Sequence, residues 1–337
     1  MAGGQERILR RRIRTIQSTK KITRSFELIA ASQITRAQGR IAGSRPYVAA
    51  ISDILSETAR EGAGSTGLLG IPESPQNVLV LVIVADRGLA GAYNSSVLRA
   101  AERLLRSGSQ AGQSYRVMAV GKKAQSYFRF RHQSVERQFV GMSDRPTYED
   151  ARQVAAAVVK PFLDGEVDLV QIVSTRIRSA SRQLVETRQL LPIPPSPNSL
   201  DRPPPGDSAA AQASAATRAA LAPGQAVTER KLGYFEFEPD VAQLLAQLIP
   251  LYSEASIYAA LLEASASEHA SRQRAMSAAT ENAEELLKTL TRVMNRARQD
   301  SITTEIMEIV GGSEALRSAG GVPQDLTHPQ ATEEQNP

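Results

Sequence analysis

The sequence predicts an α/β domain inserted between two long helices that pair as an antiparallel coiled coil. Three patterns carry that prediction. Apolar residues recur at steps of three and four over the first forty positions. Strand-like and helix-like runs alternate from Val78 to Leu190, and a heptad stripe runs from Met276 to Ala297.

Between Gln5 and Gly43 the apolar positions are Leu9, Ile13 and Ile16, then Ile22, Phe26 and Ile29, then Ile34, Ala37 and Ile41. This is a narrow helical stripe, and forty helical residues reach roughly 60 Å, several times an ordinary helix. Ser44-Arg45-Pro46 reads as a kink or break, after which helical character resumes to about Ala59. Residues 1–60 are thus a coiled-coil helix. Glu61–Pro75, rich in Gly, Ser and Pro, reads as a loop.

The period then changes. Val78–Ala85 is a continuous apolar run suited to a buried strand, followed by a Gly-rich turn and a helix near Ser95–Arg106 with Asn94 as its N-cap. Further strands are predicted at Tyr115–Val120, Val135–Val140, Val167–Ser174 and Leu184–Leu190, with helices at Lys122–Phe130 and Tyr148–Leu163. Such alternation gives a mostly parallel, Rossmann-like sheet flanked by helices over 76–191. The segment 192–227 holds eight prolines and an alanine-rich stretch, and it reads as a disordered insertion.

From Val241 the pattern is helical again. Pro250 is expected to kink the helix, which then runs without proline from Leu251 to about Leu316, a reach of about 100 Å. Met276, Ala279, Ala283, Leu286, Leu290, Val293 and Ala297 keep a/d spacing for three heptads. Ile302, Ile306 and Ile309 carry the stripe onward, and Gly311-Gly312 permits a break. This defines a segment 228–316 and a disordered tail 317–337. A single seam cannot bury itself, and the N-terminal helix is the only other segment of comparable length.

Composition narrows the chemistry. The 337 residues contain no cysteine, which excludes disulfides, thiolate metal sites and cysteine nucleophiles. Three histidines, His132, His269 and His328, are scattered along the chain. No metal, cofactor or catalytic site is predicted. The net charge of +5 is concentrated in residues 1–40, where ten Lys and Arg face only Glu6 and Glu27. A negatively charged partner is expected at that end. No apolar run reaches the ~18 residues of a membrane span, and no secretory signal is present. The chain reads as soluble and cytosolic. An Arg-rich start also suits an organellar transit peptide, but the helical pattern continues without a cleavage-like break.

Asp86-Arg87-Gly88-Leu89-Ala90-Gly91-Ala92-Tyr93-Asn94 stands where a phosphate-binding loop would lie, between a buried strand and a helix. It lacks G-x-G-x-x-G spacing and a Walker lysine, so the glycines are read as serving a tight turn. Gly121-Lys122-Lys123 lacks the upstream glycine of a P-loop, since position 116 is Arg. Glu284 with Lys288 is read as a solvated ion pair. Arg298, Gln299, Thr303, Glu305 and Glu308 interrupt the seam with polar density, which leaves a partner surface or a solvated face open. A basic helix with a heptad stripe also suits a DNA-binding coiled coil. Against it, about 230 residues separate the two features, and Phe26 is the only ring in the first forty positions. A Rossmann-like enzyme is the third reading. Salt-dependent retention of a duplex would mark the first of these alternatives, and binding of a cofactor by the chain alone the second.

The two ends and the middle together resemble a known family. Lys21-Ile22-Thr23-Arg24-Ser25-Phe26-Glu27-Leu28-Ile29-Ala30-Ala31-Ser32 is similar to the N-terminal signature of the F-type ATP synthase gamma subunit. Ala275-Met276, Ala279-Thr280-Glu281-Asn282-Ala283 and Asn295–Gly312 resemble its C-terminal one. Asp86–Asn94 resembles the family's D-R-G-L-C-G-x-[FY]-N, with Ala90 in place of the cysteine. The similarity covers most of 5–316. It implies a non-catalytic central rotor stalk, with the coiled coil in the bore of the alpha–beta hexamer and the α/β domain as a foot by the proteolipid c-ring. It implies no nucleotide site of its own, no nucleic-acid partner and no membrane span. The implied location is the cytoplasmic side of the bacterial cell membrane, as a peripheral protein. By position, Lys21, Phe26, Glu27, Arg298, Gln299, Thr303 and Glu308 match contacts to the alpha and beta subunits, with Phe26 where many relatives carry methionine. Phe235, Glu238 and Asp240 match the foot segment facing epsilon and the ring. The insertion at 192–227 departs from many relatives. Lacking thiols, the chain cannot use the dithiol switch of photosynthetic ones.

Overall fold

Helix α1 (Ala2–Arg60) opens the chain in the computed structural model, which describes residues 2–60, 74–178, 182–194 and 241–319. It is followed by β1 (Asn77–Ile83), α2 (Tyr93–Gln110), β2 (Ser114–Val120), α3 (Lys122–Phe130) and β3 (Arg137–Phe139). Then come α4 (Tyr148–Leu163), β4 (Leu169–Ile177), β5 (Gln183–Leu191) and α5 (Val241–Ala319). The expected insertion from residue 195 onward, residues 228–240 and the tail beyond 319 lie outside the described residues. The chain divides into two compact units, residues 24–278 and residues 1–23 with 279–337.

In the unit 24–278 the sheet has the order β3-β2-β1-β4-β5. β1 pairs in parallel with β2 and β4, and β2 with β3, whereas β5 runs antiparallel beside β4. Strand β1 is apolar from Val78 onward because it is central and both of its faces are covered. Leu79, Leu81 and Ile83 pack with Ile51 and Leu55 of α1, Val154 and Val158 of α4, and Ile257 and Leu261 of α5. Val78, Val80, Val82 and Val84 point the other way, against Val97, Leu98 and Leu105 of α2 and Phe128 of α3. The alternation of one strand thus divides the core between two helix layers.

Helix starts follow local chemistry. α4 begins in a capping box: Thr147 Oγ1 accepts from Asp150 N at 3.2 Å, and Asp150 Oδ2 accepts from Thr147 N at 2.8 Å. α2 differs from expectation. Its N-cap is Ala92, and Asn94 instead accepts from Ala85 N through Oδ1 at 2.9 Å, tying the helix to the end of β1. Of the kink or break expected at Ser44–Pro46, the break is absent: α1 runs on through Pro46, which lies on an exposed side. Ala42, whose carbonyl would accept from position 46 in a regular helix, is exposed, so losing that bond costs less than in a core. Pro250, expected as a kink, and Gly311-Gly312, which permits a break, both lie inside α5.

In the unit 1–23 with 279–337, Ile13 is buried, and Leu9, Ile16, Lys20 and Thr23 are half-buried. On α5, Thr280, Ala283 and Leu290 are buried, and Ala279, Leu287, Met294 and Ala297 half-buried. Thr23 Oγ1 lies 2.8 Å from Thr280 Oγ1, and Lys20 Nζ lies 3.2 Å from Glu284 Oε2. The stripe expected on α5 coincides with these positions at Ala279, Ala283, Leu290 and Ala297, but Leu286 and Val293 are 43% and 47% exposed. With one seam position at 283, 290 and 297, the other can fall three or four residues on. The structure covers the four-residue choice, Leu287 and Met294. Glu284, expected to pair with Lys288, faces Lys20 instead.

Two backbone positions separate strain from steric closure. Gly121 has φ +99° and a Cβ there would lie 2.2 Å from the Val84 carbonyl oxygen, whereas Gly141 has φ +87° with open space. Gly121→Ala is expected to lower the unfolding free energy by about 3 kcal/mol or more, and Gly141→Ala by about 1 kcal/mol. Urea titration of both variants measures the difference. Leu290→Ala is expected to cost about 2 kcal/mol and Leu286→Ala less than about 0.5 kcal/mol by the same measurement.

Candidate functional site

Doubly wound sheets take ligands in the crevice at the carboxyl ends of their strands, where the strand order reverses. Here that point lies between β1 and β4, with β2 on the far side of β1. The residues leaving β1 are Ala85, Asp86 and the turn to Asn94. Asp86 is a knot among three loops. Its Oδ1 accepts from Lys122 N at 3.0 Å, and its Oδ2 accepts from Gly141 N at 2.9 Å and Ser143 N at 3.3 Å. Its own amide donates to Ser143 Oγ at 2.9 Å. One carboxylate therefore fixes the loops that follow β1, β2 and β3, and its oxygens are spent on backbone rather than on a ligand.

Helix α5 lies across the same edge. Ser267 Oγ donates to the Thr175 carbonyl of β4 at 3.4 Å, and Arg272 Nη2 donates to the Gly88 carbonyl beyond β1 at 3.4 Å. Ser265 Oγ donates to the Asp144 carbonyl at 3.0 Å, and Ser271 Oγ to Gln183 Oε1 at 3.2 Å. The approach is close: a Cβ at Gly91 would lie 3.5 Å from that of Ala275. Gly91 has φ +54°, so the turn needs glycine there for its backbone as well as for the approach. The crevice of the fold is thereby spanned by Ser267–Ala275. An open groove of about 460 Å³ remains beside it, lined in part by Gly91, Tyr93, Ser96, Gln183 and Arg274.

The seat of α5 is polar and dry. Glu268 is 1% exposed and pairs with Arg272 one turn on. Burial pushes the Glu268 carboxyl up, and Arg272 opposes the shift. Burial also raises the Tyr93 hydroxyl well above its ordinary value and lowers the His269 imidazole, whose Nε2 lies 3.2 Å from the Asp144 carbonyl. A second buried charge group joins α5 to the hairpin of β4 and β5. Arg176 stands 3.8 Å from Glu263 and 4.0 Å from Glu186, and Arg188 stands 3.5 Å from Glu186. Desolvation raises Glu263 against the pull of Arg188 and Arg176. Among the described residues no group of three or more His, Asp or Glu is arranged to hold a metal ion.

The residues matched to alpha and beta contacts fall in both units. In residues 24–278, Phe26 is 38% exposed, and Glu27 is half-buried with Arg24 at 2.8 Å. Ile22 and Ile29, expected in the covered stripe of α1, are each 56% exposed. The covered phase instead continues the spacing of Ile13 and Ile16 through Lys20, Thr23, Glu27 and Ala30 to Ile34 and Ala37. In the other unit, Lys21, Arg298, Gln299, Thr303 and Glu308 are exposed. Gln299 and Thr303, four residues apart, share a face of α5, while Glu308 is turned about 140° from Thr303. Phe235, Glu238 and Asp240 lie outside the described residues. Sequence reasoning passed over Asp86 as a knot and Glu268, His269 and Arg272 as a seat. The available signal was the i, i+4 Glu–Arg pair flanked by small residues.

The ATP synthase family model matches residues 5–316. The ATP synthase gamma chain of Parafrankia sp. (strain EAN1pec) is 43% identical over 319 residues, covering 94% of this chain and 99% of the relative. The chain belongs to the ATP synthase gamma chain family. In fold it is similar to a chain of the Euglena gracilis mitochondrial ATP synthase (OSCP/F1/c-ring, rotational state 3). That match has a TM-score of 0.62 at 17% identity, covering 97% of this chain and 100% of the other. A chain of the Tetrahymena thermophila mitochondrial ATP synthase central stalk and c-ring matches with a TM-score of 0.53 at 22% identity, covering 77% and 99%. The Asp86-Arg87-Gly88-Leu89 turn is the segment that Asp86 knots and α5 covers.

Replacing the knot measures its weight. Asp86→Ala leaves three backbone amides without their acceptor and is expected to lower stability by about 3 kcal/mol. Asp86→Asn, which retains an acceptor oxygen, is expected to cost less. Urea unfolding followed by circular dichroism gives both values.

Proposed function

We propose that the chain is the central rotor stalk subunit of an F-type ATP synthase, coupling proton-driven rotation of a membrane ring to ATP synthesis on an alpha–beta hexamer. The observation that carries this reading is the position of Ser267–Ala275 of α5 across the crevice where a Rossmann-like sheet would otherwise bind nucleotide. The sheet serves as an anchorage for a helix. Catalysis then belongs to other subunits, and this chain transmits force.

Pairing of α1 with α5 as an antiparallel coiled coil is part of the proposal. It is supported by two contacts of opposite numbering, Thr23 with Thr280 and Lys20 with Glu284. A two-helix shaft carries torque because twisting it disrupts packed seam contacts. The proposed surface toward alpha and beta comprises Lys21, Phe26, Glu27, Arg298, Gln299, Thr303 and Glu308. Exposed apolar side chains on the same helices support it, among them Ile22 and Ile29 on α1 and Ile302, Ile306 and Ile309 on α5. Phe235, Glu238 and Asp240 are proposed to face epsilon and the c-ring. The proposed location is the cytoplasmic side of the bacterial membrane, as a peripheral subunit. Among the described residues no helix is long and apolar enough to cross a membrane.

Mixing purified chain with alpha and beta subunits tests the reading. The chain alone is expected to hydrolyse no ATP above background, and the mixture to assemble and regain ATPase. Failure of competent alpha and beta to assemble with it would overturn the proposal.

A further inference from the structure

Both ring nitrogens of His269 are engaged, by partners of opposite kind. Nε2 lies 3.2 Å from the Asp144 carbonyl oxygen, which can only accept, and Nδ1 lies 3.3 Å from Arg272 Nη1, which can only donate. One assignment satisfies both: Nε2 carries the hydrogen and Nδ1 keeps its lone pair. The neutral ring is then a link. It ties the loop before α4 to Arg272, and Arg272 continues to Glu268 and to the Gly88 carbonyl.

A second proton has no place in this arrangement. On Nδ1 it would point at a guanidinium N–H, inside a seat where the histidine side chain is 3% exposed. The charged groups around the ring act in both directions. The Asp144 carboxylate, 3.6 Å from Nε2, favours the charged ring. Arg272 on the same helix and Arg40 of α1 disfavour it, as does burial, which is the largest effect. Glu268, on the neighbouring position of α5, is engaged with Arg272, and Asp86 stands within electrostatic reach of Glu268.

We propose that His269 makes the fastening of α5 onto the carboxyl edge of the sheet sensitive to protons: the neutral ring holds Arg272 against Glu268 and Gly88, and the protonated ring expels it. The direction of the effect follows. A histidine held neutral in the folded chain binds its proton more readily when unfolded, so its contribution is complete above about pH 6.5 and is lost as the pH falls below that value. The link is carried by α5 and the loops it touches, independently of any partner.

The full chain contains only three histidines, so a long-range ¹H–¹⁵N spectrum resolves His269 with the single variant H269Q. Glutamine can donate to Asp144 and accept from Arg272 without titrating. At pH 7 the expected signal is an unprotonated Nδ1 and a protonated Nε2, with a titration midpoint below about 6.5. Between pH 7 and 5.5 the melting temperature of the unsubstituted chain is expected to fall about 2 °C further than that of H269Q. An Nδ1–H tautomer, a midpoint at or above 6.5, or equal losses in both chains would overturn the proposal. If H269Q does not fold, the double variant H132Q/H328Q leaves His269 as the only imidazole and gives the same spectral reading.

Discussion

The seating of α5 across the carboxyl edge of the parallel sheet is the interaction on which the rest of unit 24–278 depends. A parallel sheet ends in loops whose backbone amides and carbonyls need partners, and a ligand commonly supplies some of them. Here Asp86 takes three of the amides, and Ser265, Ser267, His269 and Arg272 take carbonyls. The helix is thus docked by polar contacts at an end that in an enzyme would stay open. Apolar packing continues along it, where Ile257 and Leu261 close the layer over β1. The same helix is in this way both core and plug.

Burying charge on such a seat is costly unless the charges face each other. Glu268 with Arg272, and Arg176 with Glu186 and Glu263, meet that condition while remaining desolvated. An apolar interface of similar volume would stabilise as well or better, but it would tolerate sliding along the helix. Directional contacts between α5 and fixed carbonyls define one register.

Much of the architecture was legible in the residues, and the failures have a common cause. The apolar run 78–85, the alternating strands and helices, and the two long helical ends all reflect burial that a single chain dictates for itself. The seam phase does not. At Leu286-Leu287 and Val293-Met294 both neighbours are apolar, so only the partner's register chooses between them. On α1 the covered phase passes through Lys20, Thr23 and Glu27, while Ile22 and Ile29 stay exposed. Following hydrophobicity alone leads to the wrong face there. Continuing the spacing of Ile13 and Ile16 leads to the right one. Asn94 misled for a related reason: its preference for the N-cap was overridden by the bond to Ala85. Pro46 did not end α1, which is exposed at that turn.

The central claim is that α5 is welded to the sheet rather than laid on it. Native-state hydrogen exchange on the full chain tests this directly, by comparing amides of α5 between Leu262 and Ala275 with those of β1 and β4. Welding predicts that the two sets exchange together, in one cooperative opening with the free energy of the central strands. Exchange of the α5 amides well ahead of a still-protected β1 would contradict it.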